Sequence, residues 1–285
     1  MTANSHPTAR FYESSDRINI IGIVLVLIIG LPLTIALGLT YGYLMWNIPS
    51  IYLSVLVVGL YGGLIGVIVG FLGTLGKIRN KYVLLALGLF LGIVAEYVGW
   101  LGWMGAIFES LDAIPMFLSD FTAFTLFIRN LAVDGVWSIG DAPPISGALL
   151  YFLWALEALS VIGLASIVAY NWANNKIFCE DCNKWVTKQT AFSSLAPITD
   201  KNIVPSALDG NFEPLKTLER VNTDLFSRLT IHQCDNCNNA NYLSLSRIHI
   251  TKDSRGRQKT DETDYIRHLV IDYNTAEDIK THFKQ

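Results

Sequence analysis

The chain has 285 residues, 52% of them hydrophobic and 16% charged, with a formal net charge of −3. An ordinary soluble domain is about a quarter charged, and the shortfall here is local: the 155 residues from Ile18 to Trp172 carry 11 charged side chains, against 30 in the 113 residues from Ala173 onward. This excludes a single water-soluble domain, a disordered chain and a disulfide-dense secreted scaffold, and the 15 basic against 15 acidic residues of the second part argue against nucleic acid as a partner.

Residues 1–17 read as a polar N-terminal tail, residues 18–172 as a membrane domain and residues 173–285 as a soluble domain. Four stretches, Ile20–Met45, Ile51–Gly76, Tyr82–Phe108 and Gly147–Asn171, are long enough to cross a hydrocarbon core of about 30 Å as helices. The first is too long for a signal-peptide core and no small-residue cleavage site follows it, so it is expected to be retained. Pro32 is expected to kink it, which a membrane bundle tolerates. Asn47–Ser50 reads as a tight turn and Lys77–Lys81 as a short charged one.

Orientation follows from the basic residues, which gather on the cytoplasmic side. Arg10 and Arg17 precede the first span, Lys77, Arg79 and Lys81 lie between the second and third, and Lys176, Lys184 and Lys188 follow the fourth. The 109–145 loop carries Glu109, Asp112, Asp120, Asp134 and Asp141 against Arg129 alone. Both termini are therefore expected in the cytoplasm, with this loop outside a plasma membrane of the bacterial inner-membrane kind. Within the loop Ile114–Leu131 is apolar, but Asp120 and Arg129 interrupt it and Phe117, Phe121, Phe124, Phe127 and Ile128 recur at helical spacing. An amphipathic helix lying on the outer surface is expected. A fifth crossing there would instead put the soluble domain outside.

In the second span Gly59, Gly62, Gly66, Gly70 and Gly73 form one stripe, and Gly88 and Gly92 begin another in the third. Small residues at these intervals let helices approach closely, either within the bundle or between copies of the chain. Glu96 and Glu157 are the only ionisable residues inside the spans, and such residues usually face the protein interior and mark function. Glu96 follows Tyr82 and Glu157 precedes Asn171 by equal intervals, so antiparallel helices set both at about 21 Å from the cytoplasmic end. Trp100 and Trp154 lie one turn toward the outside of each Glu, and Ser160 one turn below Glu157. Two carboxylates side by side are costly, so a shared proton or a bound cation is expected between them. The alternative is a neutral hydrogen bond that glues two helices.

All four cysteines occur as Cys179-x-x-Cys182-Asn183 and Cys234-x-x-Cys237-Asn238. The two-residue gap lets both thiolates of one turn face a single ion, and two such turns supply a tetrahedral Zn²⁺ site. Asn183 and Asn238 stand where a left-handed residue is wanted, a conformation Asn tolerates. Iron would use the same four sulfurs. Disulfides do not suit a reducing compartment. His232 could substitute as a ligand, though four cysteines make that unnecessary.

The repeated pairs resemble the zinc-ribbon or zinc-knuckle class over about Ile177–Tyr273. The resemblance implies a structural zinc and a β-hairpin, for which Tyr242–Thr251, a turn at Ser254–Gly256 and Tyr265–Tyr273 are the candidates. A 51-residue insert, Asn183–Gln233, separates the pairs, with loops at Pro197, Pro205, Asp209–Gly210 and Pro214 and a short helix expected within Leu215–Leu229. Thr275–Asp278 reads as a capping box opening a last helix. Lys252, Arg255, Arg257 and Lys259 at the hairpin tip sit beside Asp253, Asp261 and Glu262 and read as a solvated turn.

The expected fold is thus an α-helical polytopic membrane bundle of four spans with a small cytoplasmic α+β zinc-ribbon-like domain. A closed four-cysteine site has no open position for substrate, the spans hold no His or Asp, and no Gly-rich phosphate loop is present. No catalytic residue is expected. The leading expectation is a non-enzymatic adaptor, assembly or regulatory module in the lipid bilayer, with a protein partner or self-association. The alternative is a small ion or proton channel or transporter component built on Glu96 and Glu157.

Overall fold

The structure, a computed structural model, describes residues 9–48, 51–110, 112–136, 143–174, 176–252 and 257–284. The chain divides into two compact units, residues 15–175 and residues 176–285 joined by the N-terminal segment up to Ser14.

In the first unit four helices are long and apolar enough to cross a membrane: Ile20–Asn47, Tyr52–Leu75, Lys81–Ile107 and Gly147–Asn174. Pro32 has no N–H for the Ile28 carbonyl, and its ring presses on that carbonyl. The first helix relieves this with a π turn over Val26–Gly30, and Thr34 Oγ1 donates to the Gly30 carbonyl at 2.8 Å. Asn80 caps the third helix, its side chain accepting from the N–H groups of Tyr82 and Val83. Asn47–Ser50 and Asp141 fall partly or wholly outside the described residues.

Side chains point outward along most of these helices, so glycine decides where backbones meet. The first helix packs along the third, the third along the fourth and the fourth along the second. A Cβ on Gly62 would sit 2.8 Å from the Val161 carbonyl, one on Gly66 2.7 Å from that of Ala165, and one on Gly70 2.4 Å from Trp172. Gly88 and Gly92 of the third helix press on Ala165 and Ile162 of the same fourth helix. Gly73 instead seats Leu84, and Gly59 meets nothing within 4 Å. Apart from Gly59, both stripes therefore pack inside the bundle. A further seam, absent from the sequence reading, joins Gly38 and Gly42 of the first helix to Val98, Gly99 and Gly102 of the third.

The loop that follows differs from expectation. Ile114–Leu131 is two helices, Ala113–Ser119 and Phe121–Asp134, broken at Asp120, whose carboxylate caps the second by accepting from Ala123 N–H at 2.9 Å. Phe117, Phe124, Phe127 and Ile128 pack with Tyr97, Trp100, Leu101 and Met104 of the third span, so their aromatic face is covered by protein. Among the described residues neither helix approaches the length of a span.

The second unit is built on an antiparallel sheet in the order β3-β4-β5-β6: Lys188–Leu195, Leu225–Gln233, Asn241–Lys252 and Gln258–Val270. A separate hairpin pairs β1, Phe178–Cys179, with β2, Lys184–Trp185. One sheet face buries Leu229, Ile231, Leu243 and Leu245 against Ile203, Ala207 and Leu215 and against Ala276, Ile279 and Phe283 of the terminal helix Tyr273–Lys284. The helix expected within Leu215–Leu229 is a correction: only Glu213–Lys216 is helical, and Leu225 onward is β4, because Leu229 and Ile231 alternate into the core. The returning strand starts at Gln258 rather than Tyr265 and ends at Val270. Residues 258–265 are exposed on both faces and so carry no alternation to read. The terminal helix is capped by Asp272, which accepts from Thr275 N–H at 2.9 Å, not by Thr275 itself. Arg255 and the Ser254–Gly256 turn lie outside the described residues.

The N-terminal segment, read as a tail, belongs to this unit. Phe11 bridges Leu269 of β6, Tyr12 N–H donates to the His268 carbonyl at 2.9 Å, and Val270 N–H donates to the Arg10 carbonyl at 2.8 Å.

Candidate functional site

Two knuckles bring the four cysteines together. The first is the β1–β2 turn, where Asn183 adopts φ +52° as the left-handed position requires. The second is the connection between β4 and β5, closed by Cys234 N–H donating to the Ala240 carbonyl at 3.0 Å. Here Asn238 is not left-handed; its carbonyl instead accepts from Asn241 Nδ2 at 2.6 Å. The four Sγ atoms lie within 4.8 Å of one another, Cys179 and Cys237 at 3.5 Å, and all four thiols are free. A tetrahedral ion with bonds of about 2.3 Å sets sulfurs about 3.8 Å apart, so the cluster fits a metal. Without an ion the thiol pKa values pull apart: the backbone N–H of Asn239 holds Cys237 down to about 7, while burial pushes Cys179 up and the Cys237 thiol pushes Cys182 up to about 12.

His232 is not part of this group. Its Nε2 faces Ser244 Oγ at 3.3 Å and its ring meets His268 edge-on at 5.1 Å. Burial, and then His268, push its imidazole down to about 4.

A polar network behind the second knuckle escaped the sequence reading. Lys280 of the terminal helix is buried and donates to Gln233 Oε1 at 2.7 Å and to Glu277 Oε1 at 2.5 Å. Gln233 Nε2 donates to Asn241 Oδ1 and to Glu277 Oε1, both at 3.1 Å, and Asn241 reaches the Asn238 carbonyl. The residues before, within and after the knuckle are thereby fixed from one side.

Among the four long apolar helices Glu96 and Glu157 line one cavity of about 30 Å³, together with Tyr41, Gly42, Met45, Gly99, Trp100, Trp103 and Trp154. Trp100 Nε1 donates to Glu96 Oε1 at 3.1 Å. The Tyr41 hydroxyl donates to Glu157 Oε1, its ring stacks on Tyr61 at 4.1 Å, and the Tyr61 hydroxyl donates to the Ala95 carbonyl at 2.8 Å. Trp154 meets Trp100 edge-on at 5.0 Å, and Trp100 meets Trp103 at 5.5 Å. Ser160 stays outside this group: it is exposed and donates to the Leu156 carbonyl of its own helix at 2.7 Å. Glu96 Oε2 is buried with no hydrogen-bond partner.

No known family, curated protein or solved structure matches the chain.

The two sites are therefore read from their own chemistry. The cluster offers four soft thiolates in a closed set, which suits a structural ion. The cavity offers two carboxyl groups, one phenol and three indoles, with room for about two water molecules. Tyr41 and Tyr61 were missed because nothing in an apolar stretch distinguishes a tyrosine that faces a carboxylate from one at the bilayer interface. The one available signal concerns Tyr61, which sits at the middle of its helix, away from the ends where interfacial tyrosines gather.

Proposed function

We propose that the protein is a non-enzymatic integral membrane protein whose helices carry a proton- or cation-binding site at Glu96 and Glu157, with the metal-bound C-terminal unit as its regulatory or docking module. The observation that carries this reading is the buried, unpartnered Glu96 Oε2 in the same cavity as Glu157. A buried carboxylate oxygen without a partner is costly, and a proton or a cation in the cavity would relieve it. The indoles around it add favourable faces for a cation. The basic residues beside the spans support both termini in the cytoplasm. The test is flux through purified protein in liposomes, read as proton and monovalent-cation uptake. Wild type should conduct and the double variant Glu96→Gln/Glu157→Gln should not; equal flux from the two proteins defeats the reading.

The metal is proposed to be Zn²⁺ in a zinc-ribbon-like site. Elemental analysis of purified protein should give one zinc per chain, and one iron would reassign the ion.

A second reading, an adaptor without transport, is favoured by the open edge of β6, where residues 258–265 are exposed. Such an edge can accept a strand from a partner. Its acidic and basic side chains also protect it against self-pairing, so the edge supports the adaptor less strongly than the cavity supports ion binding.

A further inference from the structure

The chain passes between its two units twice, after Ser14 and before Lys176. The first passage follows Tyr12, which belongs to the sheet unit; Ser15, Asp16 and Arg17 are bonded to the turn between the second and third spans. Arg79 Nη1 donates to Ser15 Oγ at 3.2 Å, Asn80 Nδ2 to the Asp16 carbonyl at 3.2 Å and Arg79 N–H to the Arg17 carbonyl at 3.3 Å. Only Glu13 and Ser14 separate the two sets of anchors. The second passage follows the fourth span, which ends at Asn174, shortly before β1 begins at Phe178 and delivers Cys179.

The two passages are joined. Phe178 N–H donates to the Tyr12 hydroxyl at 3.0 Å, on the residue next to the metal-ligating Cys179. The Tyr12 ring meets Tyr242 edge-on at 5.4 Å and His268 at 6.3 Å. It packs in the small cluster formed by Ile177, Val186, Ala240 and the four cysteines. That cluster has little apolar substance besides the cysteines, so its order depends on an ion holding the two knuckles together.

We propose that metal at Cys179, Cys182, Cys234 and Cys237 works as a clasp: when bound, it fixes the pocket that holds Tyr12 and so ties the lead-in to the first span to the lead-out from the fourth. Loss of the metal frees the Tyr12 side chain from Phe178 and lets those two leads move independently, while the sheet core, a separate apolar cluster, persists. The two helices so coupled are those that carry Tyr41 and Glu157. The clasp rests on the metal reading of the cluster.

Coupling of this kind is reciprocal: if the metal orders Tyr12, then Tyr12 tightens the metal by the same factor. The experiment uses the full chain in lipid nanodiscs, with zinc as the probe. Removing zinc with a chelator should speed amide exchange at Tyr12 and Phe178 at least tenfold, with Leu245 in β5 staying protected. Zinc competition should show binding weakened about tenfold in Tyr12→Ala and about threefold in Tyr12→Phe, which keeps the ring but loses the bond to Phe178. Unchanged protection of Tyr12 in the zinc-free chain overturns the clasp, as does exchange at Leu245 that accelerates equally. Zinc affinity in both variants within twofold of wild type also overturns it. A wild-type chain that binds no zinc fails the metal reading and the clasp together, whereas the other outcomes leave the metal reading standing.

Discussion

Tyr41 in the first span donates its phenolic hydrogen to Glu157 in the fourth, 116 residues later. Its ring lies flat on Tyr61 of the second span, at an interplanar angle of 7°, and Tyr61 in turn bonds the backbone of the third. One tyrosine pair thus touches all four spans at the depth of the carboxyl groups. It does so beside a cavity of about 30 Å³, which leaves room for at most about two waters to replace a lost partner.

Tyr41→Phe should therefore leave Glu157 Oε1 without its donor and lower the stability of the protein in detergent by about 1–3 kcal/mol. Adding Glu157→Leu should recover part of the loss, since the oxygen that needed the donor is gone. Thermal unfolding of the two single variants and the double variant gives the coupling as a cycle. Strictly additive losses would mean the bond carries no stability.

The glycines make a paired prediction. A Cβ on Gly66 would lie 2.6 Å from Val168 and 2.7 Å from the Ala165 carbonyl, whereas one on Gly63 meets nothing within 4 Å. Gly66→Ala should destabilise by forcing two backbones apart. Gly63→Ala, on the open side of the same helix, should be neutral or gain up to about 1 kcal/mol through helix propensity. Detergent-unfolding midpoints of the two variants should move in opposite directions or differ clearly in size.

Removing the buried ammonium by Lys280→Met should leave Gln233 Oε1 unpaired beneath the second knuckle. A loss of about 1–3 kcal/mol in unfolding of the sheet unit is expected. Lys216, a more exposed cation bonded to Glu213 and Asp278 at 2.7 and 2.6 Å, offers the contrast. Lys216→Met should cost under about 1 kcal/mol, as surface pairs do.

Acid should weaken the sheet unit through His268. Burial, and then Arg267, hold its folded pKa below the ordinary value of 6.5. As pH falls past that value the unfolded chain takes up a proton that the folded chain does not, so stability is full above about pH 6.5 and declines below it. Urea midpoints measured between pH 7 and pH 5 should fall less steeply in His268→Gln than in wild type. Acid would also release an ion held by the four cysteines, and comparing the two proteins at equal metal occupancy removes that effect.

The spans were readable because lipid imposes a single demand, a long apolar helix, and the observed bounds Tyr52–Leu75 and Lys81–Ile107 lie within a residue of the expected ones. The cysteine pairs were readable because a shared ion imposes spacing. What escaped was pairing between distant polar residues. Nothing local marks Lys280 as the partner of Gln233, and nothing within an apolar run marks Tyr41 as the donor to Glu157. β6 escaped for the opposite reason: a strand exposed on both faces has no buried face to create alternation. Asn183 and Asn238 occupy identical motif positions, yet only Asn183 is left-handed; the Asn238 carbonyl accepts from Asn241.

Gly62, Gly66 and Gly70 of the second long helix and Gly88 and Gly92 of the third are all filled by the fourth. During synthesis those two helices, and Glu96 with them, enter the bilayer before the surface that will cover them has been made. A chain terminated ahead of Gly147 should be retained at the insertion machinery or degraded, while one terminated after Asn174 should persist.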